Sequence, residues 1–367
     1  MQLVQDETIE MIRGEIRSLA RNRAAALALR WNEGHGRAAD LLPTLAEMGL
    51  LGVLVAEGMG GAGLDAAAFS ALLVELAAAD AGAAALVATH NVALRWAEVH
   101  GFDAAAGGVL RQAASGSALL CLIDGRAGGH LDDLAPGVQL RDGSLHGTAH
   151  SVLGGGDAAL ALVVAGSDAG LQATLVDLRG AGVQRQAGTP LIGLQSAGNA
   201  ALHFDGAPAL AAAPARELEL LRTLPRLAMA SILVGCARAA HEAGVRYTLE
   251  RVQFGKPVAT FQPMQWQTAD STTELAGTEL LLGRAAWALA GGQPVALATD
   301  AVDRAIVAAY EMARRVTDRA LQMHGGAGYT TDYAVERPYR DVHALPLLGG
   351  SAMAARARIG NRLAAAA

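Results

Sequence analysis

Hydrophobic and polar positions change their spacing twice along the chain. From about residue 5 to residue 110, apolar residues recur with a helical period. Residues 42–52 read as a short helix stopped at Gly49. A loop, Glu57-Gly-Met-Gly-Gly-Ala-Gly-Leu-Asp65, leads into a long Ala/Leu helix that runs to about Ala79, where Asp80-Ala81-Gly82 breaks it. From Leu119 to Pro208 the apolar runs become short (119–123, 138–140, 159–164, 173–178 and 201–204), with Gly, Asp and Pro between them. That pattern predicts a small β-domain, and Arg141-Asp-Gly-Ser144 supplies a hairpin turn. The helical period returns at Arg216. Pro225, close behind Thr223, predicts a helix start, and long helices are expected over 226–250, 264–289 and 299–324.

Composition narrows the class. Of 367 residues, 52% are hydrophobic and only 4% aromatic, so Ala, Leu and Val must build the core. Ala and Leu favour helix. The net charge is -6 and no basic run stands out, which argues against a nucleic-acid partner. The N-terminus is acidic and lacks a signal-peptide core. The longest apolar runs carry charges or glycines, so no membrane span is expected. Cys121 and Cys236 make no disulfide framework. A cytoplasmic setting is the expectation.

Several candidate chemistries are weak. His90 and His100 lack a Cys or second His at metal-ligand spacing, so no metal site is expected. Ser115 and Ser117 do not form a nucleophile elbow. The loop after Glu57 lacks phosphate-cradle spacing. Glu47, Glu75 and Glu250 read as solvated helix faces, and Trp96, Trp266 and Trp287 as core or interface residues.

The stronger signal lies near the C-terminus. Ile306, Ala309, Met312, Val316, Ala320 and Met323 form one apolar helix face, which Gly325-Gly326 stops. Gln322 sits one turn before the stop. A second stretch reads Arg251-Val-Gln-Phe254-Gly-Lys-Pro-Val-Ala-Thr-Phe-Gln262. Together the two stretches resemble the acyl-CoA dehydrogenase family, and the resemblance extends over nearly the whole chain. It is strongest from Gly235 to Arg340 and weakest in the β-domain.

The resemblance implies a mostly α fold in three parts: an N-terminal helical domain (1–114), a central β-barrel-like domain (115–212) and a C-terminal four-helix bundle (213–367). It implies FAD as cofactor, with Arg251, Phe254, Gln262, Gln322, Gly325, Gly326 and Ser351 as cofactor-binding positions and Arg226 at the substrate. In the family, the Arg251 and Gly-Gly segments serve mostly across a subunit interface. The substrate implied is an acyl-CoA or acyl-carrier thioester, and the assembly a homo- or hetero-tetramer. An electron-transfer flavoprotein is the suggested redox partner.

The chain departs from the family at the reacting centre. Gly349 stands where the resemblance puts the catalytic glutamate after Arg340-Asp341, and Pro225 occupies the alternative base position. Neither side chain can accept a proton, and Glu219 lies upstream without supporting spacing. Ile123 and Gly129 replace the two hydroxyl residues that face the flavin ring, and Ser151-Val152-Leu153 replaces the family's Trp-Ile-Thr. These departures point to a base-lacking subunit of a heteromeric enzyme. A flavin-dependent monooxygenase or oxidase on the same fold, and a non-catalytic scaffold, remain the alternatives.

Overall fold

A computed structural model describes residues 7–19, 38–104, 108–124, 136–346 and 351–365. The N-terminal part is helical. It comprises α1 (Glu7–Leu19), α2 (Leu42–Glu47), α3 (Ala66–Ala79), α4 (Ala81–Val99) and α5 (Val109–Ala114). Gly49, at φ 72°, takes the left-handed turn that ends the α2 segment. Asp80 breaks α3 from α4 and serves both: it ends the first helix, and its carboxylate accepts the Ala83 N–H that opens the second.

The β-domain follows as β1 (Leu120–Asp124), β2 (Val138–Arg141), β3 (Ser144–Leu153), β4 (Leu160–Ser167), β5 (Gly170–Asp177), β6 (Val183–Ala187) and β7 (Asn199–Pro214). The sheet runs β1-β4-β2-β3-β7-β5, and β5 pairs back onto β4, which closes it into a barrel. β6 pairs with β7 outside that path. The β2–β3 hairpin turns at Asp142 and Gly143, with φ of 48° and 75°, the left-handed pair that a two-residue turn requires. β7 runs six residues past the expected end at Pro208, because residues 209–214 pair with β5.

The C-terminal part holds α6 (Leu218–Glu250), α7 (Gln262–Ala290), α8 (Val295–Met323), α9 (Glu336–Ala344) and α10 (Ala352–Ala365). A hairpin of two-residue strands, β8 (Val252–Gln253) and β9 (Lys256–Pro257), joins α6 to α7. The predicted face of α8 is buried at Ile306, Ala309, Met312, Val316, Ala320 and Met323. α10 is tied to α8 by Arg358 on Asp303 (2.7 Å), Arg362 on Asp303 (2.8 Å) and Arg356 on Glu311 (2.6 Å).

α6 is the central helix. It packs against α3 closely enough that Ser70 and Ser231 bond hydroxyl to hydroxyl at 2.8 Å. A Cβ at Gly235 would lie 2.4 Å from the Val74 carbonyl oxygen, so only glycine fits there. Among the described residues α6 alone is long and apolar enough to cross a bilayer, but 83% of its apolar window is buried inside the protein. It also begins earlier than the sequence suggests. Pro225 lies inside the helix instead of at its start. A proline offers no N–H to the carbonyl four residues back, here that of Leu221. The Trp96 indole N–H donates to that oxygen instead, at 3.2 Å, and the helix continues.

Glu75 is likewise not a solvated helix residue. Its side chain is 1% exposed and receives Arg13 (3.1 Å), Arg17 (2.9 Å) and Arg238 (2.7 Å). Burial opposes its charge, but the hydrogen bonds and charges of Arg17 and Arg238 win and hold the carboxyl down at about 2. Cys121 and Cys236 are free and buried. His90 is fully buried. Its Nδ1 accepts the Leu120 N–H (2.9 Å), which leaves Nε2 to donate to the Ala113 carbonyl (3.1 Å).

Candidate functional site

Six of the expected cofactor positions gather at one end of the helical bundle. Arg251 ends α6, Gln262 opens α7, and Gln322 lies at the end of α8, which runs antiparallel to α7. Gly325 caps α8 at φ 57°, and a Cβ at either Gly325 or Gly326 would meet no atom within 4 Å. Arg251, Phe254, Gln262, Gln322, Gly325 and Gly326 are all exposed. Phe254 sits at φ 51° in the hairpin after α6 and is 93% exposed, with only an edge contact to Phe261 at 6.3 Å. An aromatic ring held outward on a left-handed residue is costly in both hydration and backbone energy. Such an arrangement suits a surface that something else covers. Arg251 has no side-chain partner among the described residues, so its guanidinium is available to an oxyanion. Behind these residues Tyr247 stacks on His324 at 4.3 Å and Tyr333 meets both edge-on, which stiffens the bundle end.

The ring-facing positions lie elsewhere. β1 ends beside the first turns of α6, where Asp124 accepts two hydrogen bonds from Arg222, at 2.9 and 2.8 Å. Next to it, Ile123 is part of the buried core. The Ser151 hydroxyl donates to Asn199 Oδ1 at 3.1 Å. From Arg222 to Arg251, α6 advances about 44 Å at its rise of about 1.5 Å per residue. The structure therefore does not bring the two groups of positions together within one chain. An extended FAD cannot span that distance.

Ser351 opens the last helix. Its hydroxyl accepts the Met353 N–H at 3.1 Å as the cap of α10. Arg226 is 4% exposed and donates to the exposed Glu219 carboxylate at 3.3 Å, so it lies inside the protein with a partner on its own helix. Gly129 and Gly349 lie outside the described residues.

Sequence reading missed one cluster near Arg340-Asp341. Asp341 accepts the Leu194 N–H at 2.6 Å, and Asp80 accepts the Ser196 hydroxyl at 2.5 Å. Leu194 itself is left-handed, at φ 55°. Two half-buried carboxylates thus fasten the turn before β7 to the helices. Burial pushes the Asp341 carboxyl up to about 7, and the charge of Asp80 adds to the shift. The signal available in the sequence was only the Arg-Asp pair itself.

This arrangement, helices and a β-barrel with a long-helix bundle behind them, is the acyl-CoA dehydrogenase architecture. It superposes on butyryl-CoA dehydrogenase of Megasphaera elsdenii with a TM-score of 0.91 at 23% identity, over 99% of this chain and 100% of that one. A glutaryl-CoA dehydrogenase of Mycobacterium smegmatis, solved in complex with FADH2, gives 0.88 at 21% identity over 98% and 95%. The sequence patterns of the acyl-CoA dehydrogenase N-terminal domain and C-terminal domain match residues 6–117 and 223–364. A curated relative, 3-sulfinopropanoyl-CoA desulfinase of Paraburkholderia xenovorans, is 30% identical over 264 residues, 66% of each chain. Matches to the next two curated relatives cover 36% and 31% of their lengths. The chain belongs to the acyl-CoA dehydrogenase family.

Proposed function

We propose that the protein is a flavoprotein subunit that hands the adenosine half of an FAD site to a neighbouring subunit. The ring-facing contacts and the catalytic base come from an unlike chain with the full motif set, and the assembled enzyme oxidises an acyl thioester between Cα and Cβ. One observation carries this reading. The intact cofactor positions lie at one end of α6 and Ile123, beside the Asp124–Arg222 pair, at the other, so each end serves a different flavin. Open space at Gly325 and Gly326 leaves room for a ligand's flat face, and Arg251 fits a pyrophosphate. FAD, when bound, supplies a hydride acceptor at Cβ. This chain's own part is to bind and orient. Arg251 holds oxyanions, Phe254 covers an apolar surface, and Gln262 and Gln322 offer amide groups at the bundle end.

Flavin-to-protein stoichiometry tests the proposal. The chain alone should retain little FAD, and with its partner one FAD per pair of unlike chains. Arg251→Ala should weaken retention in the complex by about one to two powers of ten, since a charge-assisted hydrogen bond contributes about 1.5–3 kcal/mol. One tightly held FAD per chain in the homomer would overturn the reading.

A second reading is favoured by the desulfinase likeness together with Gly349 and Pro225 at the base positions. Its relative's name denotes loss of a sulfinate group and not oxidation between Cα and Cβ. In this reading the homomer cleaves a sulfinate from an acyl-CoA without an α-proton base. Sulfite release from 3-sulfinopropanoyl-CoA by the pure homomer separates the two.

A further inference from the structure

A cavity of about 720 Å³ opens between α1, α3, α6 and α9, and its lining includes none of the six residues at the bundle end. That volume is in the range of small-molecule sites, about 300–1,000 Å³. Its walls are rich in guanidinium groups. On one flank Arg17 and Arg238 bear on Glu75 together with Arg13, which also pairs with Glu10 at 2.6 Å, so three cations meet two carboxylates and one positive charge is left over. Arg246 lines the mouth on α6 and Arg337 lines the opposite wall on α9. Arg246 has no side-chain partner among the described residues. The Arg337 Nε is buried and meets no hydrogen-bond acceptor, a donor that a native structure rarely leaves unmet.

We infer that this cavity binds a multiply charged oxyanion of metabolite size, gripped between the Arg17–Arg238 flank, Arg246 and Arg337. The guanidinium fork suits phosphate and carboxylate oxygens alike. Asp80 and Asp341 also line the cavity, and both are occupied by the turn before β7 through Ser196 and Leu194. Burial raises both carboxyls, that of Asp341 to about 7, so Asp341 carries less than a full negative charge at neutral pH. Glu242 is exposed at the mouth and screened by water. Four arginines and four carboxylates line the cavity, and the partly neutral Asp341 with the water-screened Glu242 tips it towards an anion.

Calorimetric titration of the full chain with pyrophosphate, and separately with citrate, tests the inference. At least one should bind with a Kd of about 1 mM or tighter. Binding by pyrophosphate alone assigns a phosphate ester, and by citrate alone a polycarboxylate. Arg246→Gln and Arg337→Gln should each weaken binding about tenfold, and Arg141→Ala, an exposed change on β2, should leave it unchanged. Arg246 is exposed, so its variant folds even if Arg337→Gln does not. Binding of neither anion at about 10 mM would overturn the inference. So would binding that ignores both glutamine variants.

Discussion

Replacing Trp96 with phenylalanine tests how α6 passes through Pro225. Trp96 is fully buried, and its indole N–H is the donor that reaches the Leu221 carbonyl. Leu221 is 2% exposed, so water cannot take over. A buried acceptor left unmet costs about 1–3 kcal/mol. The smaller ring adds about 1–2 kcal/mol of lost packing. Trp96→Phe should therefore destabilise the protein by about 2–5 kcal/mol. Pro225→Ala separates the two contributions, because alanine restores a backbone N–H directed at the Leu221 oxygen. In that background the loss from Trp96→Phe should shrink to the packing part alone. Urea unfolding of the four proteins, followed by far-UV circular dichroism, measures the coupling energy. The value expected is about 1–3 kcal/mol, with the double variant more stable than the single changes predict. A coupling below about 0.5 kcal/mol, the level expected of independent sites, would refute the role given to Trp96.

Three further outcomes are expected. Glu75→Gln leaves three arginines around a neutral amide and should cost about 3–5 kcal/mol by urea unfolding. In the wild type, Glu75 has a depressed folded pKa, so its contribution is complete above the unfolded value of 4.5 and is lost as pH falls through about 2. Acid titration monitored by circular dichroism should show that loss diminished in Glu75→Gln. Asp341 has the opposite sign: its folded pKa is raised from 3.8 to about 7, so stability present at low pH is lost as pH rises through neutrality. Asp341→Asn keeps an acceptor for the Leu194 N–H, and melting curves from about pH 5 to about pH 8 should fall less steeply than in the wild type. Gly235→Ala would force a Cβ to 2.4 Å from the Val74 oxygen and should destabilise by about 1–3 kcal/mol, read from thermal unfolding at pH 7.

Local patterns carried much of the fold. The face of α8, the stop at Gly325 and the Asp142-Gly143 hairpin are all set by residues within a few positions of one another. What escaped were features fixed by distant partners. Pro225 reads as a helix start because the donor that lets the helix continue, Trp96, is 125 positions from Leu221 in the chain. Glu75 reads as solvated because its three arginines come from α1 and α6. β6, Val-Gln-Arg-Gln-Ala, has no apolar run at all and becomes a strand only by pairing with β7. At the site, the family resemblance brought Arg251, Phe254, Gln262, Gln322, Gly325 and Gly326 into one set. It did not show that the Ser351 hydroxyl caps α10 or that Arg226 is buried beside Glu219.

The length of α6 also governs how mutations in this chain combine. On the divided-site proposal, a helix that keeps one half-site at each end makes every chain a donor in one pocket and a recipient in another. Damage at the recipient end leaves the donor end untouched, because no side chain belongs to both. On the divided-site proposal, two copies carrying lesions at opposite ends could be mixed to rebuild one whole pocket between them. A chain whose recipient end has decayed could likewise persist for generations on the strength of what it lends.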